Sequence, residues 1–468
     1  MAKKSVCMAV FGASLALLSA APALAADPTP AATPASVSPE STAALKAEAE
    51  QLRAKIDDIN SRLAELEAAK TQHDKALDKS VTAGAFPGSF KLPGSNTSVG
   101  IHGFVNLVAF YDRNEYLGDK FAPGAISPPG PARNQTAGSW HMQTKLTRLT
   151  FESRTPTSAG PFRTYIATDF YGFENGGSGG TQAIQNNSYS LRIHQAYATL
   201  GRFLAGMTWS NFVDDPDSFE KIDSAGPTGI PSQRLPQVRF TMPVGVANFS
   251  VSAENPVTDY ADSLKAGNNE LTSKYNPVPD FAFKLEAEKS WGHAQISGVI
   301  RTLAYADAAG HRSTARGGGM LAGGTFYVKP RKDYLGGQAW YGDGIAKYTP
   351  DDFGPVSSAQ IQNTNTAAQR VVPTPEHGMV IYGDHHWSPV LRSNLAYGWN
   401  VMGWQNFIPL DPSEPVLTRT MHVNTIWSPV PQADLGIEYM RGTKKFRTGL
   451  NLPDTSAERW EFGTRVRF

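Results

Sequence analysis

The final segment of the chain alternates apolar and polar residues with a period of two. Its apolar face carries Trp460, Phe462, Thr464, Val466 and Phe468, with charged residues or glycine between them. Such a strand presents one face to lipid and the other to water, as transmembrane β-strands do. A soluble sandwich also alternates, but its apolar face packs against a core. The pattern favours a strand that crosses a membrane.

The same alternation recurs along most of the chain, for example in Phe162–Phe170, Phe281–Glu288 and Ala294–Arg301. Sixteen candidate strands begin near residues 99, 141, 162, 190, 203, 236, 246, 279, 293, 318, 335, 376, 391, 418, 433 and 458. Long connections such as 211–235 alternate with short turns, and an even strand number closes bacterial barrels. We therefore expect an all-β, transmembrane, antiparallel 16-stranded β-barrel over residues 83–468.

The N-terminus has the features of an export signal. Lys3 and Lys4 precede an apolar run, and Ala23-Leu24-Ala25 is a small-x-small cleavage motif, so residues 1–25 read as a signal peptide. The single cysteine, Cys7, lies within it, so the mature chain has neither disulfides nor thiol chemistry. An exported chain of this kind suits the Gram-negative envelope. Residues 26–40 are rich in Ala and Pro and predict an extended tether.

Between the tether and the barrel, residues 41–82 show a heptad pattern. Its apolar positions are Leu45, Leu52, Ile56, Ile59, Leu63 and Leu66. Spacings that alternate between three and four indicate a coiled coil, and isoleucine at both core positions favours three strands. We expect a short α-helical, periplasmic coiled coil that trimerises, in a protein that is a homotrimer. The alternative is a single solvated helix.

Composition excludes other classes. No stretch after residue 30 reaches the ~20 apolar residues that a spanning helix needs. Lys plus Arg total 43 against 42 for Asp plus Glu, which argues against a nucleic-acid binder. His385 and His386 are adjacent, so they point to opposite faces of a strand and cannot share a metal. No Ser/His/acid set has a recognisable spacing. We expect no enzymatic activity, no cofactor and no metal site.

Several stretches resemble the DcaP-like porin family of Gram-negative outer membranes. They are GSFKLPGSNTSVGIHGFVNLVAFYD (88–112), TRLTFESRTPT (147–157), AGMTWSNFVDDPDSFEKID (205–223), QRLPQVRF (233–240) and HVNTIWSPVPQADLGIEY (422–439). The resemblance implies a trimeric sixteen-stranded channel with an N-terminal periplasmic coiled coil, passing small anions such as dicarboxylates. The first strand departs from the family by carrying Asn106 and Val108, where Lys and Asp tend to face the lumen.

The lumen is predicted to be rich in arginine. Alternate residues of each predicted strand face the lumen, so the position of an arginine in its strand predicts whether it points inward. These inward arginines, together with one arginine on the third long connection, are the candidate pore residues: Arg148, Arg154, Arg163, Arg192, Arg234, Arg239, Arg301, Arg392, Arg459, Arg465 and Arg467. Arginine holds a carboxylate through two parallel hydrogen bonds and keeps its charge. The alternative for each arginine is a local pair with an acid on the same face, such as Glu152, Asp169 or Glu438.

The third long connection is acidic and follows the fifth strand. Its candidate constriction residues are Asp214, Asp215, Asp217, Glu220 and Asp223. An acidic loop folded inward against an arginine wall would set up a transverse field at the narrowest point. We expect the arginine side to attract anions, with Arg148 and Arg239 as first choices. The alternative is an acidic surface loop over the mouth.

Together these features predict a passive porin in the outer-membrane lipid that passes small, preferentially anionic solutes. The main alternative is an envelope-tethering protein whose coil and tether contact peptidoglycan, with the barrel as an anchor. A barrel hydrolase is a third reading. Solute flux separates the first two, and ester hydrolysis would reveal the third.

Overall fold

The computed structural model describes residues 39–79, 82–172, 189–214, 219–262, 271–328, 333–349, 357–411, 414–448 and 452–468. The predicted signal peptide (1–25) and the tether up to residue 38 lie outside these ranges. The chain divides into two compact units, Met1–Lys75 and Ala76–Phe468.

The first unit contains most of helix α1, Pro39–Lys79. The helix begins slightly earlier than predicted, and proline is well tolerated in a first helical turn. It ends before residue 82 because Thr82–Ala83 already pairs with Ser89–Lys91 as a small antiparallel ladder. The six heptad residues from Leu45 to Leu66 are all more than half exposed in the single chain. Among the described residues, no helix is both long and apolar enough to cross a bilayer.

The second unit contains the predicted barrel. Its strands are β1 Ser98–Asp112, β2 Ser139–Gln143 with Arg148–Thr157, β3 Gly160–Asp169, β4 Arg192–Leu200, β5 Phe203–Trp209, β6 Arg234–Val244, β7 Ala247–Glu254, β8 Asp280–Lys289, β9 Gly292–Ala306, β10 Arg312–Tyr327, β11 Tyr334–Asp343, β12 Pro375–Ser388, β13 Leu391–Met402, β14 Pro415–Val430, β15 Ala433–Phe446 and β16 Thr455–Arg467. Each strand pairs antiparallel with the next, and β16 pairs with β1, so the barrel is closed. The sixteen-stranded prediction is confirmed.

The period of two in the sequence gives the barrel its two faces. On β9, Ile296 and Ile300 are 56% and 58% exposed, whereas Ser297 and Arg301, which point inward, are 0% and 1% exposed. Apolar residues thus cover the outside of the barrel, and many of the residues that face its interior are polar. This is the inverse of a soluble protein and is required where lipid surrounds the strands.

The long connections carry structure that the alternation did not predict. Four short strands from the β7–β8 and β11–β12 connections form a separate sheet: Asp259–Asp262, Leu271–Thr272, Ala359–Gln362 and Arg370–Pro373. The remaining helices are short: α2 Pro131–Asn134 and the 3₁₀ turns Pro123–Ala125 and Ala346–Tyr348.

Part of the lumen is filled by an apolar cluster. Phe212 of the β5–β6 connection and Ile345 and Tyr348 of the β11–β12 connection pack against Trp340 of β11 and Met402 of β13. The cluster therefore takes up part of the space inside the barrel along these strands.

Candidate functional site

The connection from β5 to β6, residues 210–233, is called the inner loop because its described residues, 210–214 and 219–233, lie inside the barrel. Trp340 Nε1 donates a hydrogen bond to the carbonyl of Gly229 (3.1 Å), and Thr228 N–H donates to Thr420 Oγ1 (2.8 Å). Trp340 and Thr420 are lumen-facing residues of β11 and β14. The structure thus places the third long connection in the lumen rather than over the mouth.

The acids of the inner loop serve mainly as anchors. Asp214 Oδ1 lies 2.7 Å from His293 Nε2 on β9, and the Glu220 carboxylate accepts hydrogen bonds from two nitrogens of Arg392 on β13. Asp223 Oδ2 accepts the backbone N–H of Ala225 at 3.2 Å. Burial raises the pKa of the Asp223 carboxyl, which disfavours its negative charge. Asp215 and Asp217 lie outside the described residues.

A cavity of about 350 Å³ lies between the inner loop and the opposite wall. Its charged lining is predominantly cationic: Lys120, Arg148, Arg192, Lys221, Arg234 and Arg465, against Glu220 and Asp223. Four of the eleven predicted arginines are therefore brought together around one space. Because Glu220 is already paired with Arg392, the lining carries an excess of positive charge.

Two of the cavity arginines share one buried carboxylate. Arg192 donates to both oxygens of Asp169 at 2.8 and 2.7 Å, and Arg148 Nη2 lies 3.7 Å from the same carboxylate. Two positive charges against one negative charge leave this group with a net charge of about +1. Asp169 thus orients the guanidiniums without neutralising them.

Aromatic rings support the cavity cations. The guanidinium carbons of Arg148 and Arg465 lie 5.5 and 4.9 Å from the ring centre of Phe104. Arg192 lies 5.4 Å from the ring of Tyr171. Rings at this range attract cations electrostatically and limit side-chain freedom. The guanidiniums are therefore held in position before a solute arrives.

Other predicted arginines hold the barrel together. Arg301 donates to Asp280 (2.9 Å), and Arg459 donates to both oxygens of Asp112 (2.8 and 2.9 Å), with both arginines buried. A buried ion pair satisfied in this way is a structural element. Neither arginine lines the cavity.

The remaining candidates also have partners nearby. Arg154 and Arg163 share Glu152, and Arg467 donates to Asp434. For these three arginines the structure shows the local pairing that was the alternative, whereas Arg392 pairs with Glu220 of the inner loop.

Arg239 points inward but does not line the cavity. Its guanidinium donates to Gln237 Oε1 (2.8 Å) and to the carbonyl of Trp209 (2.5 Å). Trp209 does line the cavity, and the Arg234 guanidinium carbon lies 4.6 Å from the centre of its ring. Arg239 therefore contacts a residue of the cavity lining without lining the cavity itself.

Sequence reasoning missed part of the lining. Lys120 lies in the first long connection, where alternation gives no direction. His194 has the same inward position in the alternation as Arg192, but the candidate pore residues were drawn from the arginines alone.

Comparisons with known proteins agree with this architecture. A family model described as Porin subfamily matches residues 85–403. The crystal structure of the outer membrane channel DcaP of Acinetobacter baumannii is similar with a TM-score of 0.65 and 22% identity, covering 83% of this chain and 100% of that one. No curated protein matches the chain.

Two further solved structures are more distant. The anion-selective porin from Comamonas acidovorans has a TM-score of 0.48 and 10% identity, covering 80% of this chain and 100% of that one. OmpT of Vibrio cholerae has a TM-score of 0.47 and 8% identity, covering 80% and 98%.

Proposed function

We propose that this chain, which belongs to the Porin subfamily, passes small anionic solutes such as dicarboxylates by passive diffusion. The family and the closed barrel make it a channel of the Gram-negative outer membrane and point to transport rather than catalysis. The resemblance to DcaP-like porins is confirmed by the family match and the shared fold.

The cation-lined cavity is the observation that carries the anion preference. Six cationic side chains face two acids there, and one of the acids, Glu220, is engaged by Arg392. A narrow space with low-dielectric walls strengthens the field of such charges and concentrates counter-ions. An anion is therefore stabilised in the passage, whereas a cation of equal size is repelled.

The geometry of arginine extends the proposal to carboxylates. A guanidinium donates two parallel hydrogen bonds to one carboxylate, and the cavity holds four guanidiniums. A dicarboxylate engages separate arginines with its two ends, whereas a monocarboxylate engages fewer. Passive exchange requires that each contact be weak enough to release the solute.

The exposed seam of α1 supports a homotrimer. Apolar residues such as Ile56 and Ile59 are 54% and 61% exposed in one chain, and a heptad seam is buried only by other helices. We propose that the helices of three copies form a coiled coil in the periplasm, in addition to the contacts that their barrels make in the membrane. Contact of the coil and tether with peptidoglycan remains part of the alternative in which the barrel is mainly an anchor. An anchor needs no cation-lined passage.

The direct test is ion and solute selectivity of the purified protein in planar bilayers and liposomes. In a KCl gradient the zero-current potential should show anion preference. Succinate should permeate faster than succinamide, its uncharged counterpart of similar size. Cation preference, or equal flux of the two solutes at low salt, would contradict the proposal. Absence of any conductance would favour the anchor.

A further inference from the structure

We infer that Gly436 and Gly463 form a seat for Ile222 that fixes the inner loop and thereby sets the width of the passage. The two glycines are directly paired across β15 and β16. A methyl group added to Gly463 would lie 2.4 Å from Ile222 Cγ2, and one added to Gly436 would lie 2.6 Å from Ile222 Cδ1. The buried side chain of Ile222 therefore occupies the space that two wall side chains would fill.

The backbone of the same loop segment is fixed beside this seat. Glu438, two residues after Gly436 on the same face of β15, accepts the N–H of Ile222 (2.6 Å) and of Asp223 (3.1 Å) through Oε2. Its other oxygen lies 2.8 Å from His422 Nδ1. The carboxylate holds the main chain and the glycine pair receives the side chain, so the segment has one position against the wall.

Backbone strain does not account for these glycines. Neither Gly436 nor Gly463 has a positive φ, so other residues could adopt the same backbone. Glycine weakens a strand interior and often marks a site where another chain segment approaches closely. Space for the inner loop is the reason that the structure gives for both.

Two other wall glycines meet the same loop. A methyl group on Gly398 of β13 would lie 1.8 Å from the carbonyl oxygen of Thr228, and one on Gly323 of β10 would lie 2.3 Å from Asp214 Oδ2. Neither has a positive φ. Glycine thus occurs where the loop contacts the wall at β10, at β13 and at β15 and β16, and the seat for Ile222 is one of these points.

The seat is coupled to the passage because its neighbours line the cavity. Lys221 and Asp223 flank Ile222 in the loop, and Arg465 follows Gly463 by two residues on the same face of β16. A side chain added to the seat displaces Ile222 away from the wall, and the flanking residues then move into the cavity. The inference rests on the channel function and is independent of anion preference.

The test is the double variant Gly436→Ala/Gly463→Ala in the full-length protein. Single-channel conductance in 1 M KCl should fall, and the size cut-off for uncharged polyethylene glycols should become smaller. At this salt concentration charges are screened beyond ~3 Å, so the conductance depends mainly on the width of the passage. The measurement therefore tests this inference even if the protein proves not to prefer anions. Gly130→Ala is the control, because nothing lies within 4 Å of that methyl position.

A rescue variant distinguishes loss of conductance caused by a displaced loop from loss caused by a damaged barrel. Adding Ile222→Ala to the double variant removes the clashing atoms and should restore conductance and cut-off. Ile222→Ala alone leaves the strands unchanged but releases the loop from its seat. It should therefore enlarge the size cut-off for uncharged polyethylene glycols. This variant tests the inference even if the glycine variants do not assemble. An unchanged cut-off in the Ile222→Ala variant, or a loss in the double variant without rescue, would overturn the inference.

Discussion

Glu220 and Arg392 join the inner loop to β13, since the Glu220 carboxylate accepts hydrogen bonds from two nitrogens of the Arg392 guanidinium. Asn424 of β14 also donates to the Glu220 carbonyl (2.8 Å). Glu220 lines the cavity, but its charge is matched by an arginine that does not. The acidic loop therefore approaches the arginine wall with part of its negative charge already neutralised, and the passage keeps a positive excess.

Removal of this neutralisation should weaken anion preference. Arg392→Gln leaves the Glu220 carboxylate uncompensated beside the cavity, and hydrogen bonds to charged groups contribute about 1.5–3 kcal/mol each. The zero-current potential in a low-salt KCl gradient should shift toward cations. The Glu220→Gln/Arg392→Gln double variant should return toward the wild-type value. If the single and double variants have equal potentials, Glu220 does not act on the permeating ions.

The sequence favours Arg148 and Arg239 as the residues that determine anion selectivity. In the structure Arg148 lines the cavity, whereas Arg239 does not. Arg148→Ser removes a cation from the cavity lining, so it should lower succinate flux and shift the zero-current potential toward cation preference. Arg239→Ser should have a smaller effect, through Trp209, and the double variant should resemble Arg148→Ser. The shift should shrink in 1 M salt, where the screening length is ~3 Å.

Arg154→Ser is the matched control for that comparison, because Arg154 faces the lumen but pairs with Glu152 and does not line the cavity. It should leave the low-salt potential nearly unchanged. If Arg148→Ser keeps wild-type selectivity, or if Arg154→Ser shifts it equally, then Arg148 is an ordinary lumen residue.

Phe104 should matter although it carries no charge. Its ring lies beside both Arg148 and Arg465, and such contacts contribute about 0.5–1 kcal/mol each at exposed sites. Phe104→Leu keeps the charge of the passage but frees the two guanidiniums. The ratio of succinate to chloride permeability should fall while chloride selectivity over potassium persists. An unchanged ratio would show that the ring does not help to position the arginines.

The sequence predicted the strands but only part of the site. Alternation is imposed by lipid on one face and water on the other, so all sixteen strands and the inward parity of Arg148 and Arg459 follow from it. Pairing inside the lumen depends on contacts between distant residues. Arg459 meets Asp112, 347 residues earlier, because β16 closes against β1. Parity cannot distinguish such a buried pair from an arginine that faces the passage.

The coil should be dispensable for the barrel. Deletion of residues 26–82, with the signal peptide kept, should leave a trimeric barrel, because we expect lipid-embedded contacts between barrels to provide most of the contact area. Cross-linking and light scattering in mild detergent test the assembly. A wild-type protein that is monomeric under these conditions would contradict the proposed trimer.

The seam of α1 should determine the stability of the coil and little else. Ile56→Asp with Ile59→Asp would bring like charges together in a three-helix core, at a cost of several kcal/mol. The helical circular dichroism of a 41–82 peptide should collapse, while the full-length variant conducts nearly as the wild type does.

Ala54→Asp with Ala68→Asp adds the same charge opposite the seam and should preserve the helical signal. The seam residues are exposed in a single chain, so a helix that does not associate would tolerate both pairs of substitutions equally. Equal helical signals from the two variant peptides would therefore favour the single solvated helix over the coiled coil. A loss of conductance confined to the isoleucine variant would instead make the coil part of the pore.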